Sequence, residues 1–240
     1  LNLNIIKINN KMQNIKTVTQ LYASRGILLN QLKSQGYNTN SYSHFGINEI
    51  NILYQQSSLD MILEKSSDPS LDPSLDPSLD PSLDPSSIVP SRIYVRYFMG
   101  KLFRSGNIRE LVDDLLLNNV ITKKDTIIFI TPEDSNDTIK DFVKQLWEEE
   151  KLFIILLSLK RLQFNILEHT LVPQHTIVDK KEVDKILLKY KLKSEMFLPE
   201  ISRFDPVAVS IGMRPGDICK ITRPSKTSIT SIYFRLCVNN

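Results

Sequence analysis

The sequence predicts a protein of α/β and α+β class, with an α/β domain followed by a small mixed-sheet domain. Three observations carry this. Between residues 92 and 159, β-rich runs alternate with helical periodicities, the pattern of an α/β unit with at least partly parallel pairing. Beyond residue 160 the punctuation changes to short strands, capped helices and Pro/Gly turns. The charge divides at the same place: residues 160–240 carry 14 Lys+Arg against 8 Asp+Glu, whereas the remainder carries 16 against 19.

In chain order, Asn14 to Gln35 places Ile15, Val18, Leu21, Tyr22, Leu28, Leu29 and Leu32 at helical spacing, which predicts helices interrupted near Arg25-Gly26. Ile50 to Leu63 reads as a strand and a short helix. Ser67 to Ser86 is Ser-Asp-Pro-Ser followed by four copies of Leu-Asp-Pro-Ser. Proline every fourth residue removes backbone donors, and one leucine per repeat cannot build a core, so this block is expected to be a disordered loop. A phosphorylated or partner-binding repeat is the alternative. Arg92 to Met99 is strand-like, with Ile93, Val95, Tyr97 and Met99 on one side. Asn107 is expected to cap a helix through Asn118, with Ile108, Leu111, Val112, Leu115 and Leu116 on its apolar face. Asp125 to Thr131 is β-rich. Asp137 opens a helix through Glu150 that carries Ile139, Phe142, Val143, Leu146 and Trp147, and Leu152 to Leu159 is a buried strand.

Phe164 to Glu168 reads as strand. Asp179 and Glu182 form a capping box before Val183, Ile186, Leu187 and Tyr190. Asp205-Pro206 is a cap followed by proline at the first helical position, and Gly212 suits that helix's end. Arg214-Pro215-Gly216-Asp217 is a turn. Ile218 to Thr222 and Ser231 to Val238 are strands joined by a Pro-Ser turn.

Composition excludes several classes. The 240 residues carry a formal charge of +3 with 41% hydrophobic residues. No apolar run approaches the ~18 residues of a membrane span, and the Asn-rich start lacks the apolar centre of a secretory signal. Two cysteines, Cys219 and Cys237, are too few for a disulfide scaffold or a four-thiolate zinc site. The seven glycines form neither a dinucleotide fingerprint nor a phosphate loop, since Gly100-Lys101 lacks the upstream glycine and the following hydroxyl residue. The 28 Ile, 20 Lys and 17 Asn against 2 Ala read as an AT-rich genome.

The chemistry of catalysis is equally sparse. His44 stands in a Ser/Asn-rich stretch. His169 and His175 are six apart, which is no shared helical face, and no cysteine or carboxylate completes a metal set. Both cysteines sit in strand-like alternation and read as small core residues. Asp113-Asp114 and Glu148-Glu149-Glu150-Lys151 are the acidic clusters. Glu149-x-Lys151 has the shape of a metal-nuclease element, but it falls at a helix end, where charged residues are ordinary. The basic C-terminal part is compatible with nucleic acid or an acidic protein surface, or with a solvated helix exterior over Lys180 to Lys193. A binding or assembly protein is the expectation.

The final third carries a more specific signal. Asn165-Ile-Leu-Glu-His-Thr-Leu-Val-Pro-Gln-His175 is followed by the capped helix ending Leu188-Lys-Tyr-Lys-Leu192. Then come Leu198-Pro-Glu-Ile-Ser-Arg-Phe-Asp-Pro-Val-Ala208 and Gly212-Met-Arg-Pro-Gly-Asp-Ile-Cys-Lys-Ile-Thr-Arg-Pro-Ser-Lys-Thr-Ser228. In this order, over about 75 residues, the succession resembles the fifth subunit common to the eukaryotic nuclear RNA polymerases, whose C-terminal domain is similar to its small archaeal polymerase counterpart. Lys16-Thr-Val-Thr-Gln-Leu-Tyr-Ala-Ser-Arg-Gly26 resembles that family's first helix and Arg-Gly turn, and Arg92 to Leu159 its N-terminal jaw domain.

The resemblance implies a non-catalytic subunit of DNA-directed RNA polymerase with no cofactor and no metal. Its C-terminal domain would dock on the largest subunit, among other polymerase subunits, and its jaw would lie beside downstream double-stranded DNA. No membrane and no small-molecule substrate is implied. The implied organisation is an extension over 1–11, with Met12 as the start, jaw residues 12–66, the repeat at 67–86, the rest of the jaw at 87–162 and an assembly domain at 163–240. Assembly residues would be Pro173, His175, Asp205, Pro206, Gly212, Arg214, Gly216, Arg223 and Ser225, most of them defining the fold and the arginines making contacts. Thr131-Pro132 matches a loop that in the family lies near DNA, but Glu133 and Asp134 follow here and are expected to repel phosphates. Leu152 to Gln163 is longer than in cellular members, and Ser228-Ile-Thr-Ser stands where those members carry glycine. With the AT-rich composition, these departures resemble versions from large cytoplasmic DNA viruses; an AT-rich protist is the alternative. Location would be the nucleus for a cellular protein, and the virion or host cytoplasm for a viral one. The competing readings are a stand-alone metal-dependent nuclease using Glu149 and a nucleic-acid-binding factor acting through the basic lobe.

Overall fold

A computed structural model of the protein describes residues 2–65, 92–99 and 103–240. The Leu-Asp-Pro-Ser block and Gly100-Lys101 lie outside the described residues. The chain divides into two compact units, Leu1–Gln163 and Phe164–Asn240. Among the described residues, no helix is long and apolar enough to cross a membrane.

In the first unit, helices α1 (Asn2–Ser34) and α2 (Ile47–Gln55) precede strand β1 (Met61–Glu64). Then follow β2 (Arg92–Tyr97), α3 (Ser105–Leu117), β3 (Thr126–Thr131), α4 (Asp137–Glu150) and β4 (Phe153–Ser158). The sheet order is β1-β2-β3-β4; β2, β3 and β4 are parallel, and β1 pairs antiparallel at the edge. The α/β expectation is thereby met. β3 reads Thr-Ile-Ile-Phe-Ile-Thr and is buried at every position, as a strand covered on both faces must be. On one face, Ile108, Val112 and Leu115 of α3 and Ile139, Val143 and Leu146 of α4 pack against Tyr94, Ile127, Phe129 and Ile154. Elsewhere in the unit, Leu21 of α1 and Ile50 of α2 pack with Leu59, Leu159, Tyr97 and Met99.

Two expected boundaries need correction. The first helix is not interrupted at Arg25-Gly26. Val18, Leu21, Arg25, Leu28, Leu29 and Leu32 form one continuous buried stripe, and packing along it outweighs the roughly 1 kcal/mol that glycine costs inside a helix. Arg25 is itself buried: its Nη1 donates to Leu59 O at 3.3 Å, and its guanidinium lies 5.4 and 5.2 Å from the rings of Tyr42 and Phe45. The second helix boundary also moves. Arg104, not Asn107, is the N-cap of α3, because Phe103 packs on Phe98 and Phe129 and turns the chain inward ahead of the expected cap.

The second unit contains β5 (Gln174–Ile177), α5 (Lys180–Tyr190), β6 (Glu200–Ser202), α6 (Pro206–Ser210), β7 (Ile218–Pro224) and β8 (Thr230–Val238). Its sheet order is β5-β7-β8-β6, with β6 parallel to β8 and the other pairs antiparallel, so the sheet is mixed. Val183 and Ile186 of α5 pack with Val178, Leu198 and Ile218. Ala208 of α6 packs with Met213, Ile201, Cys219, Ile221 and Cys237. Phe164 to Glu168 is not a strand. Asn165 Oδ1 accepts from Leu167 N and opens a 3-10 turn over Ile166–Glu168, and the 55% exposed Phe164 has no sheet face to bury.

Candidate functional site

The best-defined element of the second unit is the turn–helix–turn around α6. Asp205 accepts from Val207 N at 2.9 Å and from Ala208 N at 3.3 Å, and Pro206 occupies the first helical position, where no donor is lost. At the other end, Gly212 N donates to Val209 O and Met213 N to Ala208 O, with Gly212 at φ +69°. This is the paired closure that needs a left-handed residue. The next four residues form the expected turn. Asp217 N donates to Arg214 O at 3.0 Å, Arg214 N donates to Asp217 Oδ2 at 2.8 Å, and Gly216 holds φ +97°. Gly216 N also donates to Cys237 O and Cys237 N to Asp217 O, so the turn is stitched to the end of β8.

The remaining expected assembly residues lie elsewhere on the same sheet. His175 pairs with Ile221 across β5 and β7, and its Nδ1 is 2.6 Å from Pro173 O. Arg223 is exposed near the far end of β7 and lies over the ring of Tyr233, 3.9 Å from its centroid. Ser225 starts the hairpin loop: its N donates to Ile229 O at 3.0 Å and its Oγ accepts from Thr227 N at 3.4 Å. Arg214 and Gly216 stand before β7, Arg223 and Ser225 at its end, so a seven-residue strand sets the two groups roughly 20 Å apart. The expected residues therefore form two clusters at opposite ends of one hairpin.

In the first unit, Thr131 ends β3 and is buried. Its Oγ1 donates to Glu133 O at 2.6 Å, and its carbonyl accepts from Leu159 N at 2.7 Å. Thr131 is thus an anchor of the loop, whereas Pro132 is exposed. Glu133 and Asp134 carry ion-pair partners: Lys160 Nζ lies 3.6 Å from Glu133 Oε1, and Arg161 Nε lies 2.9 Å from Asp134 Oδ1.

The acidic clusters resolve into surface pairs. Asp113 pairs with Arg109 at 3.2 Å, Glu150 pairs with the same arginine, and Glu149 accepts from Gln145 Nε2 at 2.7 Å. Among the described residues, no three His, Cys, Asp or Glu side chains converge to hold a metal. His169 Nδ1 accepts from Leu171 N at 3.2 Å. Burial pushes the Cys219 thiol up to about 11 and the Cys237 thiol up to about 12, which disfavours the nucleophilic thiolate.

Residue-by-residue reading missed two features. Tyr233 joins Arg223 only through the β7–β8 register, and Lys160-Arg161 meets Glu133-Asp134 only because β3 and β4 are neighbours. Arg203 was also outside the expected set. It is 4% exposed, burial lowers its guanidinium to about 10, and its Nη1 donates to Asn239 Oδ1 at 2.8 Å. The Asp-Pro cap beside it was the one local signal.

Comparison with known proteins bears on the same residues. The family described as RNA polymerase Rpb5, C-terminal domain, matches residues 164–237. The DNA-directed RNA polymerase subunit Rpo5 of Thermococcus kodakarensis is 40% identical over 78 residues, which are 32% of this chain and 94% of that protein. Subunit Rpo5 of Archaeoglobus fulgidus is 42% identical over 77 residues, 32% of this chain and 100% of that protein. The subunit rpabc1 of RNA polymerases I, II and III of Dictyostelium discoideum is 35% identical over 111 residues, 46% of this chain but only 56% of that protein. Since 94% of an archaeal relative is matched at 40% identity, the chain belongs to the family of the RNA polymerase subunit Rpb5, named Rpo5 in archaea.

Proposed function

We propose that the chain is a non-catalytic subunit of a multisubunit DNA-directed RNA polymerase, docked on the largest subunit through its C-terminal unit. The N-terminal unit is the jaw, with Pro132 beside downstream double-stranded DNA. The observation that carries this reading is the match over 164–237, in which the α6 caps, the Arg214–Asp217 turn and the β7–β8 hairpin are all built from matched residues. Pro173, His175, Asp205, Pro206, Gly212 and Gly216 shape the docking unit, and Arg214, Arg223 and Ser225 are its contacts. The planar donor forks of the two arginines suit carboxylates of a partner. The protein would act wherever that polymerase transcribes: the nucleus for a cellular enzyme, the viral factory for a viral one.

The test is purification of the full chain from its native source through an affinity tag. Large polymerase subunits are expected to co-purify, and recovery without them overturns the reading. Arg214→Glu with Arg223→Glu is expected to impair incorporation. Asp205→Lys is a poorer probe, because loss of the α6 cap would impair folding as well. Relatives named as polymerase subunits, and a Glu149 engaged with Gln145 on its own helix, favour this reading over a metal-dependent nuclease.

A further inference from the structure

Glu133 and Asp134 leave the sheet after β3, and Lys160 and Arg161 leave it after β4. The two strands are parallel with Thr131 opposite Ser158, so both dipeptides emerge at the same carboxyl edge. They meet one to one, Lys160 on Glu133 and Arg161 on Asp134. Thr131 fixes the acidic loop through Glu133 O and the basic segment through Leu159 N. Leu159 and Leu162 are buried on either side of the two cations, which pins Lys160-Arg161 at the surface. All four charged side chains are open to water, the least exposed being Arg161 at 48%. Nearby on α4, Asp137 pairs with Lys140 and Asp141 with Lys144, so those charges are matched locally.

We infer that Lys160 and Arg161 form a two-cation contact for the phosphate backbone of duplex DNA, and that Glu133 and Asp134 hold it closed as intramolecular stand-ins for phosphate. Exposed ion pairs contribute little, so this one opens at small cost. Exchanging a carboxylate for a DNA phosphate also releases condensed counterions, which the intramolecular pair cannot do. The acidic dipeptide that was expected to repel DNA thus acts by occupying the cations, and it sets how tightly the jaw grips at a given salt concentration. The inference rests on the jaw reading above and adds its regulation.

The experiment uses the full chain and a short mixed-sequence DNA duplex, followed by fluorescence anisotropy across a salt titration. Glu133→Gln with Asp134→Asn is expected to tighten binding roughly 3- to 10-fold near 0.1 M salt. The log–log salt dependence should steepen by up to ~0.9 for each phosphate gained. Adding Lys160→Gln and Arg161→Gln is expected to abolish the gain. An unchanged affinity and slope in the first variant, or a gain that survives in the fourfold variant, overturns the inference. A photo-cross-linker at position 132 in the assembled polymerase separates the two ideas. Cross-linking to downstream DNA with unchanged anisotropy sinks the masking alone, and absence of any cross-link sinks the jaw reading beneath it. All four side chains are exposed, and circular dichroism verifies that the variants fold.

Discussion

Arg223 stacks on Tyr233 across the β7–β8 hairpin, its guanidinium carbon 3.9 Å from the ring centroid. Arg223 pairs with Ser231 and Ile221 with Tyr233, so the contact is a diagonal one on a single face of the sheet. The Tyr233 phenol is held below its ordinary value, first by a hydrogen bond from Ser231 and then by Arg223. Ser231→Ala and Arg223→Ala are therefore each expected to raise the Tyr233 pKa. NMR titration of ring-labelled tyrosine, with Tyr233→Phe to assign the signal, reads both. An unmoved resonance in Arg223→Ala would show that the stack does not persist in solution.

Asp205 closes the start of α6 with one carboxylate oxygen shared by two backbone donors. Replacing such a cap with alanine costs about 1 kcal/mol, while asparagine keeps the acceptor. Asp205→Ala is thus expected to lower the urea midpoint of the full chain, and Asp205→Asn to leave it nearly unchanged. Equal loss in both variants would mean that the charge, and not the cap, carries the effect.

The contrast between α6 and α1 shows what a sequence can disclose. Asp205, Pro206 and Gly212 act on backbone within four residues of themselves, so their chemistry is visible in one dimension. Gly26 looks equally decisive, yet α1 runs through it, because its neighbours on the buried stripe are satisfied by residues as distant as Leu59. Phe164 to Glu168 reads like a strand but has no sheet face to occupy. The same limit hides the two charge relationships: Arg223 with Tyr233 needs the hairpin register, and Glu133 with Lys160 needs the neighbouring order of β3 and β4. Helical spacing in α3 and α4 and the apolar run of β3 were legible because burial dictates them directly.

Gly216 offers a test of backbone strain isolated from packing. Its φ is +97°, and a Cβ placed there would meet nothing within 4 Å. Gly216→Ala is expected to cost about 1–2 kcal/mol through conformation alone. Gly216→Asn should cost less, because asparagine tolerates the left-handed region. A midpoint unchanged in both would mean that the Arg214–Asp217 turn relaxes without loss.

Tyr94 and Tyr97 make stability fall at alkaline pH. Burial pushes both phenols up to about 12, and the Asp60 carboxylate, accepting from Tyr94 Oη at 2.7 Å, adds to the first. Below pH 10 each phenol is neutral in both states and contributes its full stability. Between 10 and 12 the unfolded chain releases these protons while the folded one keeps them, so stability declines with a slope of up to two protons and levels off above 12. Tyr233, with its lowered pKa, works in the opposite sense below 10. Urea midpoints at pH 9 and pH 11 are expected to separate less for Tyr97→Phe than for the unaltered chain, with Tyr94→Phe behaving alike. The difference between variants cancels groups common to both. An identical separation in Tyr97→Phe would show that this phenol reaches water in the folded state and that the interior around Arg25 and Leu159 is open.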